Sequence, residues 1–175
     1  MKKLNIGAGK DIKKSDAKII WVNLDELPLS GIDVVHNINK RLPFKDNEFD
    51  EIFCSHILEH VDDLVKVMKE LHRITKNKGK VIIRGPHFSS GVSYWDPTHK
   101  RTFSYFTFDF FTEKSFYNTP QFKIKRKKLN FTRLYAKFLN YIFNPLINLN
   151  PLVYERFFCW IFPVSEVVIE LEVKK

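Results

Sequence analysis

Leu4-Asn5-Ile6-Gly7-Ala8-Gly9 and Val22-Asn23-Leu24-Asp25 decide how this chain is read. Each is a short apolar run. The first closes on two glycines spaced by one residue, the second on an acid sixteen residues past Gly9. Strand, glycine turn, second strand and terminal acid is the layout of a nucleotide-type site at the carboxyl edge of a parallel sheet. Glycines let a ligand approach the backbone, and an acid one strand over accepts hydrogen bonds from ribose hydroxyls. Between the two runs, residues 10–17 are polar and show no helical period. A parallel crossover normally takes about a dozen or more residues and carries a helix. Here that helix is expected to be absent or reduced to a turn, and with it much of the anion attraction of a helix N-terminus.

Outward from this pair, residues 32–38 read as a third strand, 49–55 as a fourth and 80–85 as a fifth. Val61, Leu64, Val65, Met68, Leu71 and Ile74 recur at spacings of three and four, which predicts a helix over about 58–76. Asp62 and Asp63 stand near its start, Lys76 and Lys78 near its end, and Gly79 supplies the stop. Strands alternating with loops or a helix are the signature of an open parallel α/β sheet. Residues 86–120 lack a clean period, and a loop of that length reads as a lid or an acceptor-side surface. Residues 122–129 form a basic strand candidate, 131–162 an apolar, aromatic helical insertion broken by Pro145 and Pro151, and 164–173 a final alternating strand.

The 175 residues fit one domain with a full hydrophobic core. At 44% hydrophobic and 28% charged, the composition argues against disorder. A formal charge of +9 favours anionic partners, or simply a solvated lysine-rich surface. Cys54 and Cys159 are far apart and read as reduced thiols of a cytoplasmic protein. The basic start is followed by glycines and polar residues rather than an apolar stretch, so no signal peptide is expected. Asn140, Asn144, Asn148 and Asn150 interrupt the uncharged run at 138–154, which argues against a membrane-spanning helix.

The order of these segments resembles the class I S-adenosylmethionine-dependent methyltransferases, in particular the methyltransferase domain 11-like group. The glycine and acid runs carry the likeness together with residues 33–44 (ending Leu42-Pro43-Phe44), 49–61 (Phe49-Asp50 through His56-Ile57-Leu58-Glu59-His60) and 71–76. The resemblance covers residues 3 to about 85 and continues more loosely through Trp95-Asp96-Pro97-Thr98-His99-Lys100-Arg101. It implies a Rossmann-like, seven-stranded, mostly parallel sheet with an antiparallel last strand, N-terminally trimmed, and S-adenosyl-L-methionine as cofactor. It also implies that Gly7 and Gly9 line the methionine part of the donor, that Asn5 and Ala8 are cofactor-binding with them, that Asp25 binds the ribose, that Asn37 and the Ile38 backbone sit by the adenine, and that Ser55 and His56 close over the donor. Asn5 and Asn37 stand where many members carry an acid, and Lys10 replaces a third small residue.

Candidate acceptor chemistry lies after the fifth strand. Asp96, His99 and His87 form the catalytic candidates, since histidine is the natural general base near neutral pH. The alternative is a surface loop in which Asp96-Pro97-Thr98 makes a turn. His56 and His60 stand four apart, but a metal site needs a third ligand and usually an acid in a defined frame, so no metal is expected and the pair reads as cofactor shaping or packing. Lys123, Lys125, Arg126, Lys127 and Lys128 alternate with apolar residues as a half-buried strand with a solvated face would, and nucleic acid is not expected as a partner. The segment 131–162 is expected to cover bare sheet; its other uses are a homodimer interface, a peripheral membrane contact, or a seat for a lipid-linked acceptor. The leading expectation is methyl transfer to an unidentified acceptor, a small molecule, a glycan or a lipid-linked group. The rival is a catalytically weak binding or scaffold protein. A nicotinamide enzyme ranks last, because the third glycine and a second mononucleotide half are missing.

Overall fold

The computed structural model describes residues 1–113, 120–133 and 136–175; residues 114–119 of the expected acceptor-side loop and 134–135 of the aromatic insertion lie outside them. One sheet of seven strands runs through the molecule. Its members are β1 (Lys2–Ile6), β2 (Ile20–Asp25), β3 (Val34–Val35), β4 (Phe49–Ser55), β5 (Thr75–Pro86), β6 (Phe122–Asn130) and β7 (Glu166–Val173). The spatial order is β3-β2-β1-β4-β5-β7-β6. The pairs β1–β2, β1–β4, β2–β3 and β4–β5 are parallel, while β7 runs antiparallel to both β5 and β6. The expected seven-stranded sheet with an antiparallel last strand is therefore present. The third strand is shorter than the periodicity predicts, two residues in place of seven.

α1 (Leu64–Ile74) begins six residues later than its apolar spacing predicts. Asp63 caps it, accepting from the Lys66 amide at 3.0 Å. Leu58 and Val61 continue the helical spacing but are buried in a turn that precedes the cap. The helix ends at Thr75, whose hydroxyl bonds the Leu71 carbonyl at 2.6 Å, so the chain enters β5 before Gly79 is reached.

The pleat sends alternate side chains to opposite faces. Leu4, Ile6, Leu24, Ile52, Cys54, Val81, Ile83, Ile169 and Leu171 point to one face and are buried. They pack in one core with Val67, Met68, Leu71 and Ile74 of α1 and with Phe103, Phe108 and Phe111. Each such side chain contributes about 1.5–3 kcal/mol.

The other face carries Lys3, Asn5, Trp21, Asn23, Glu51, Phe53, Lys80, Glu170 and Glu172. It is held by ion pairs Lys3–Glu51 and Lys80–Glu170, both 2.8 Å, and by Lys3 over Trp21 and Lys13 over Phe53. The β1–β2 crossover lies on this face as an extended loop without a helix. Buried Asn5 and Asn23 hold it: Asn5 Nδ2 donates to the Asp11 carbonyl (2.8 Å) and to Asn23 Oδ1 (3.1 Å), and Asn23 exchanges bonds of 2.9 and 3.0 Å with the Lys13 backbone.

Strand β6 lies at the sheet edge, where unpaired backbone groups invite wrong pairing. α2 (Leu139–Leu149) closes that edge. Asn148 bonds both backbone groups of Leu129 at 2.8 Å, Asn144 accepts from the Phe131 amide at 2.8 Å, and Asn140 bonds both backbone groups of Thr132 at 3.0 and 2.8 Å. Asparagines at i, i+4 and i+8 thus turn inward and leave apolar residues outside: Tyr141 is 86% exposed, Leu146 64% and Leu149 85%. The expectation that 131–162 covers the core holds for Phe131, Ile147, Tyr154 and Cys159, which pack in or against it, and not for these outward side chains. Further on come α3 (Pro151–Val153) and a wide turn over Tyr154–Phe158. Among the described residues, no helix is long and apolar enough to cross a membrane.

Candidate active site

The carboxyl ends of β1, β2 and β4 open into a cleft of about 580 Å³. Gly7, Asp25, Asn37, Ile38 and His56 line it, with Glu26, Leu27, His36, His60, Asp62, Thr98 and Lys100 among the rest. Gly7 has φ +68°, and a Cβ there would stand 2.6 Å from Ile57 Cβ. The glycine is required by both its backbone and its neighbour. Gly9, at φ +50°, faces open space, and its amide donates to Asp25 Oδ2 at 2.8 Å. The Leu27 amide donates to Asp25 Oδ1 at 3.0 Å. The glycine turn and the β2 acid are thus fixed to each other. Asn37 accepts from the Asn39 amide (2.8 Å) and donates to Glu26 (3.1 Å).

Four of the expected donor residues stand elsewhere. Asn5 is buried on the opposite side, anchoring the helixless crossover. Ala8 is buried, its amide on the Leu24 carbonyl at 3.0 Å. Gly9 acts through Asp25, and Ser55 is outside the lining. The sequence reading missed Glu26, Asp62 and Lys100, which lack an apolar frame to mark them; Lys100 and Asp62 form an ion pair at the rim.

His56 sits at φ +54°, an unusual backbone for a non-glycine residue. Its Nδ1 lies 3.2 Å from Glu59 and its Nε2 3.3 Å from Glu166. Burial opposes its charged form, but the two carboxylates prevail and its pKa is raised. Burial likewise opposes the Glu166 carboxylate, yet His56, Arg84 and Asn130 hold its pKa at about 2. Arg84 reaches Glu166 at 2.5 Å and Asn130 at 2.8 Å.

A second cavity of about 640 Å³ shares His56 and His60 with the cleft and is also lined by Glu59, Trp95, Asp96, His99 and Arg133. It forms because residues 96–101 dock onto the turn at 57–62. Arg101 donates to the carbonyls of Val61 (2.5 Å) and Asp62 (3.0 Å), and the Lys100 amide donates to the Glu59 carbonyl (2.8 Å). Asp96 accepts from the Thr98 hydroxyl at 2.6 Å and the Thr98 amide at 2.8 Å, which holds its carboxyl below the usual range. Asp96 and His99 are thus brought beside the cleft.

His87 is not. It is fully buried and takes the Ser89 amide on Nδ1 at 3.1 Å, so Nε2 carries the proton to Glu155 at 3.1 Å. Glu155 also accepts from Ser104 (2.7 Å) and the Tyr105 amide (2.6 Å). Burial works against this carboxylate, and those donors more than offset it. His87 is a structural tie between the end of β5 and the insertion, which corrects its place among the catalytic candidates.

Sheet order and cleft position together give the class I S-adenosylmethionine-dependent methyltransferase fold. The same fold is seen in a SAM dependent methyltransferase from Archaeoglobus fulgidus (19% identity, 98% of this chain and 85% of that one, TM-score 0.60) and in one from Aquifex aeolicus (14% identity, 99% and 82%, TM-score 0.61). Residues 7–83 match the family model described as a methyltransferase domain. A Methanocaldococcus jannaschii protein without an assigned activity is 38% identical over 82 residues, 47% of this chain and 37% of that protein. A demethylmenaquinone methyltransferase of a Geobacillus strain is 31% identical over 74 residues, 42% of this chain and 32% of that protein. The matched stretches therefore span about a third of these relatives' lengths.

Proposed function

We propose that the protein transfers a methyl group from S-adenosylmethionine to an acceptor bound in the cavity lined by Asp96 and His99. The observation that carries this reading is the junction of that cavity with the cleft through His56 and His60. The cleft residues fit the donor: a glycine turn reaching it at Gly7, acids Asp25 and Glu26 at the end of β2 for ribose hydroxyls, and Asn37 with Ile38 for the adenine. When bound, S-adenosylmethionine supplies a methyl already activated on a sulfonium, released with the carbon–sulfur electron pair left on sulfur. The protein's task is alignment, which supplies about 7–11 kcal/mol. For a hydroxyl acceptor a base is also needed. His99 Nδ1 faces the Ser93 carbonyl at 3.0 Å and must donate to it, so Nε2 offers a lone pair to take the proton. Gly7→Ala should abolish binding of S-adenosylhomocysteine by calorimetry. His99→Ala should lower turnover by roughly 10²–10⁴ while sparing that binding. Loss of donor binding in His99→Ala would overturn the base assignment.

The acceptor in this reading is borne on a membrane surface. Residues 138–162 expose Phe138, Tyr141, Leu149, Phe157, Trp160 and Ile161, and Arg126, Lys128, Arg133, Lys137 and Arg156 flank them. Aromatic and aliphatic side chains beside cations suit the interface of an anionic bilayer. Arg133 joins this surface to the acceptor cavity, and one relative is named for a demethylmenaquinone acceptor. Flotation with phosphatidylglycerol vesicles should carry the protein upward, and Trp160→Ser with Tyr141→Ser should release it. A soluble dimer that ignores vesicles would overturn the membrane assignment.

A further inference from the structure

We infer that Glu59, His60 and His99 form a site for a divalent transition-metal ion. One ligating atom from each lies within 4.8 Å of the others. Glu59 is fully buried, and neither of its carboxylate oxygens has a hydrogen-bond partner among the described residues. His56 Nδ1 approaches Oε1 at 3.2 Å as an ion contact without hydrogen-bond geometry. His56 is the one cation beside this carboxylate among the described residues and meets only Oε1, so a further cation at the carboxylate would still offset the cost of its burial.

The histidines are prepared to complete it. Asp96 accepts the one proton of the Thr98 hydroxyl at 2.6 Å. The Thr98 oxygen can then only accept from His60 Nδ1, 2.9 Å away, which leaves a lone pair on His60 Nε2. His99 Nδ1 donates to the Ser93 carbonyl, which leaves a lone pair on its own Nε2. Outer partners that hold Nδ1–H and fix the ring are what metal-ligating histidines show. Two imidazole nitrogens and one carboxylate, bordering a cavity, are the ligand set of an open site for zinc or another first-row ion. The spacing of His56 and His60 alone gave no such expectation. The third ligand, His99, comes from the loop that Arg101 docks, thirty-nine residues after His60.

The binding claim stands apart from methyl transfer; the role of the ion rests on it. The base role of the His99 lone pair belongs to the metal-free protein; with an ion in place that lone pair is committed to the metal. The acidity of an acceptor oxygen is then raised by the ion, and its proton leaves to solvent.

The test is titration of EDTA-treated, dialysed protein with Co²⁺, followed by visible absorption, and with Zn²⁺ by calorimetry. One ion should bind per chain, with the intense visible bands of a four- or five-coordinate cobalt site. A hundredfold excess of Zn²⁺ over Kd should raise Tm by about 5–10 °C. His99→Ala and Glu59→Gln should each weaken binding by at least about 10–100-fold, and Thr98→Val, which leaves all three ligands, should fall within that range. S-adenosylhomocysteine binding by the wild-type protein, measured alongside, separates the two readings: donor binding without cobalt bands sinks the metal site alone, and cobalt bands without donor binding sink the methyltransferase reading alone. Should Glu59→Gln fail to fold, the other two variants decide. No cobalt site in the folded wild-type protein, or one unmoved by His99→Ala and Thr98→Val, would overturn the inference.

Discussion

The two faces of this sheet solve the same problem by different means. One buries aliphatic side chains under α1 and the phenylalanines at 103–111. The other carries paired charges, cations over aromatic rings, and a loop pinned by two asparagines. Parallel strands are usually buried on both sides and read as continuous apolar runs. Here they alternate as an antiparallel sheet does, apolar toward the core and charged outward. A sheet of this fold can therefore keep its strand order and cleft without a helix in its first crossover, provided its outer face brings its own polar partners.

If that contrast is right, four substitutions should differ in rank. The largest effect belongs to Glu166, the buried charge of the polar face, where His56, Arg84 and Asn130 converge. Glu166→Ala leaves two cations without their carboxylate and should cost about 3–5 kcal/mol in urea denaturation. The deficit has a pH signature. The folded pKa of Glu166, about 2, lies below its ordinary 4.5, so its contribution is complete above pH 4.5 and fades as pH falls through 2. His56 is shifted up from 6.5, so its contribution is complete below that pH and is lost as pH rises through the raised value. The difference between wild type and Glu166→Ala should peak between these limits.

On the covered face, Ile52→Ala should cost about 2–5 kcal/mol through lost transfer energy and a cavity. Asn5→Ala should cost about 1–3 kcal/mol, because it strips Asn23 and the Asp11 carbonyl of a buried partner. It should also speed proteolysis within residues 10–17, which a residue that merely binds donor would not do. The smallest effect is expected at Glu51→Ala, about 0–1 kcal/mol by the same denaturation assay, shrinking further in high salt. A cost for Glu51→Ala equal to that of Ile52→Ala would erase the distinction between the faces.

Much of this was legible beforehand. Strands β1, β2, β4 and β7 announce themselves by apolar alternation, and the glycine turn with Asp25 locates the cleft. Other features depend on partners distant in sequence. Leu58 and Val61 mimic a helix because a buried turn and a buried helical face both want apolar residues. Asn5 looks like a weakened donor contact until its bonds to Asp11 and Asn23 are seen. His87 carries the right chemistry in the right neighbourhood, but Ser89 and Glu155 consume both its nitrogens. Glu59 reads as one polar residue in a motif; only its burial beside His60 and His99 sets it apart.

The central claim is that the cleft beside Gly7 and Asp25 receives an adenosyl donor. It is tested most directly by calorimetric titration of the folded protein with S-adenosylmethionine, S-adenosylhomocysteine and NAD. Micromolar binding of both adenosyl ligands, with none for NAD, is the predicted result. Binding of NAD, or of neither adenosyl ligand, would contradict it.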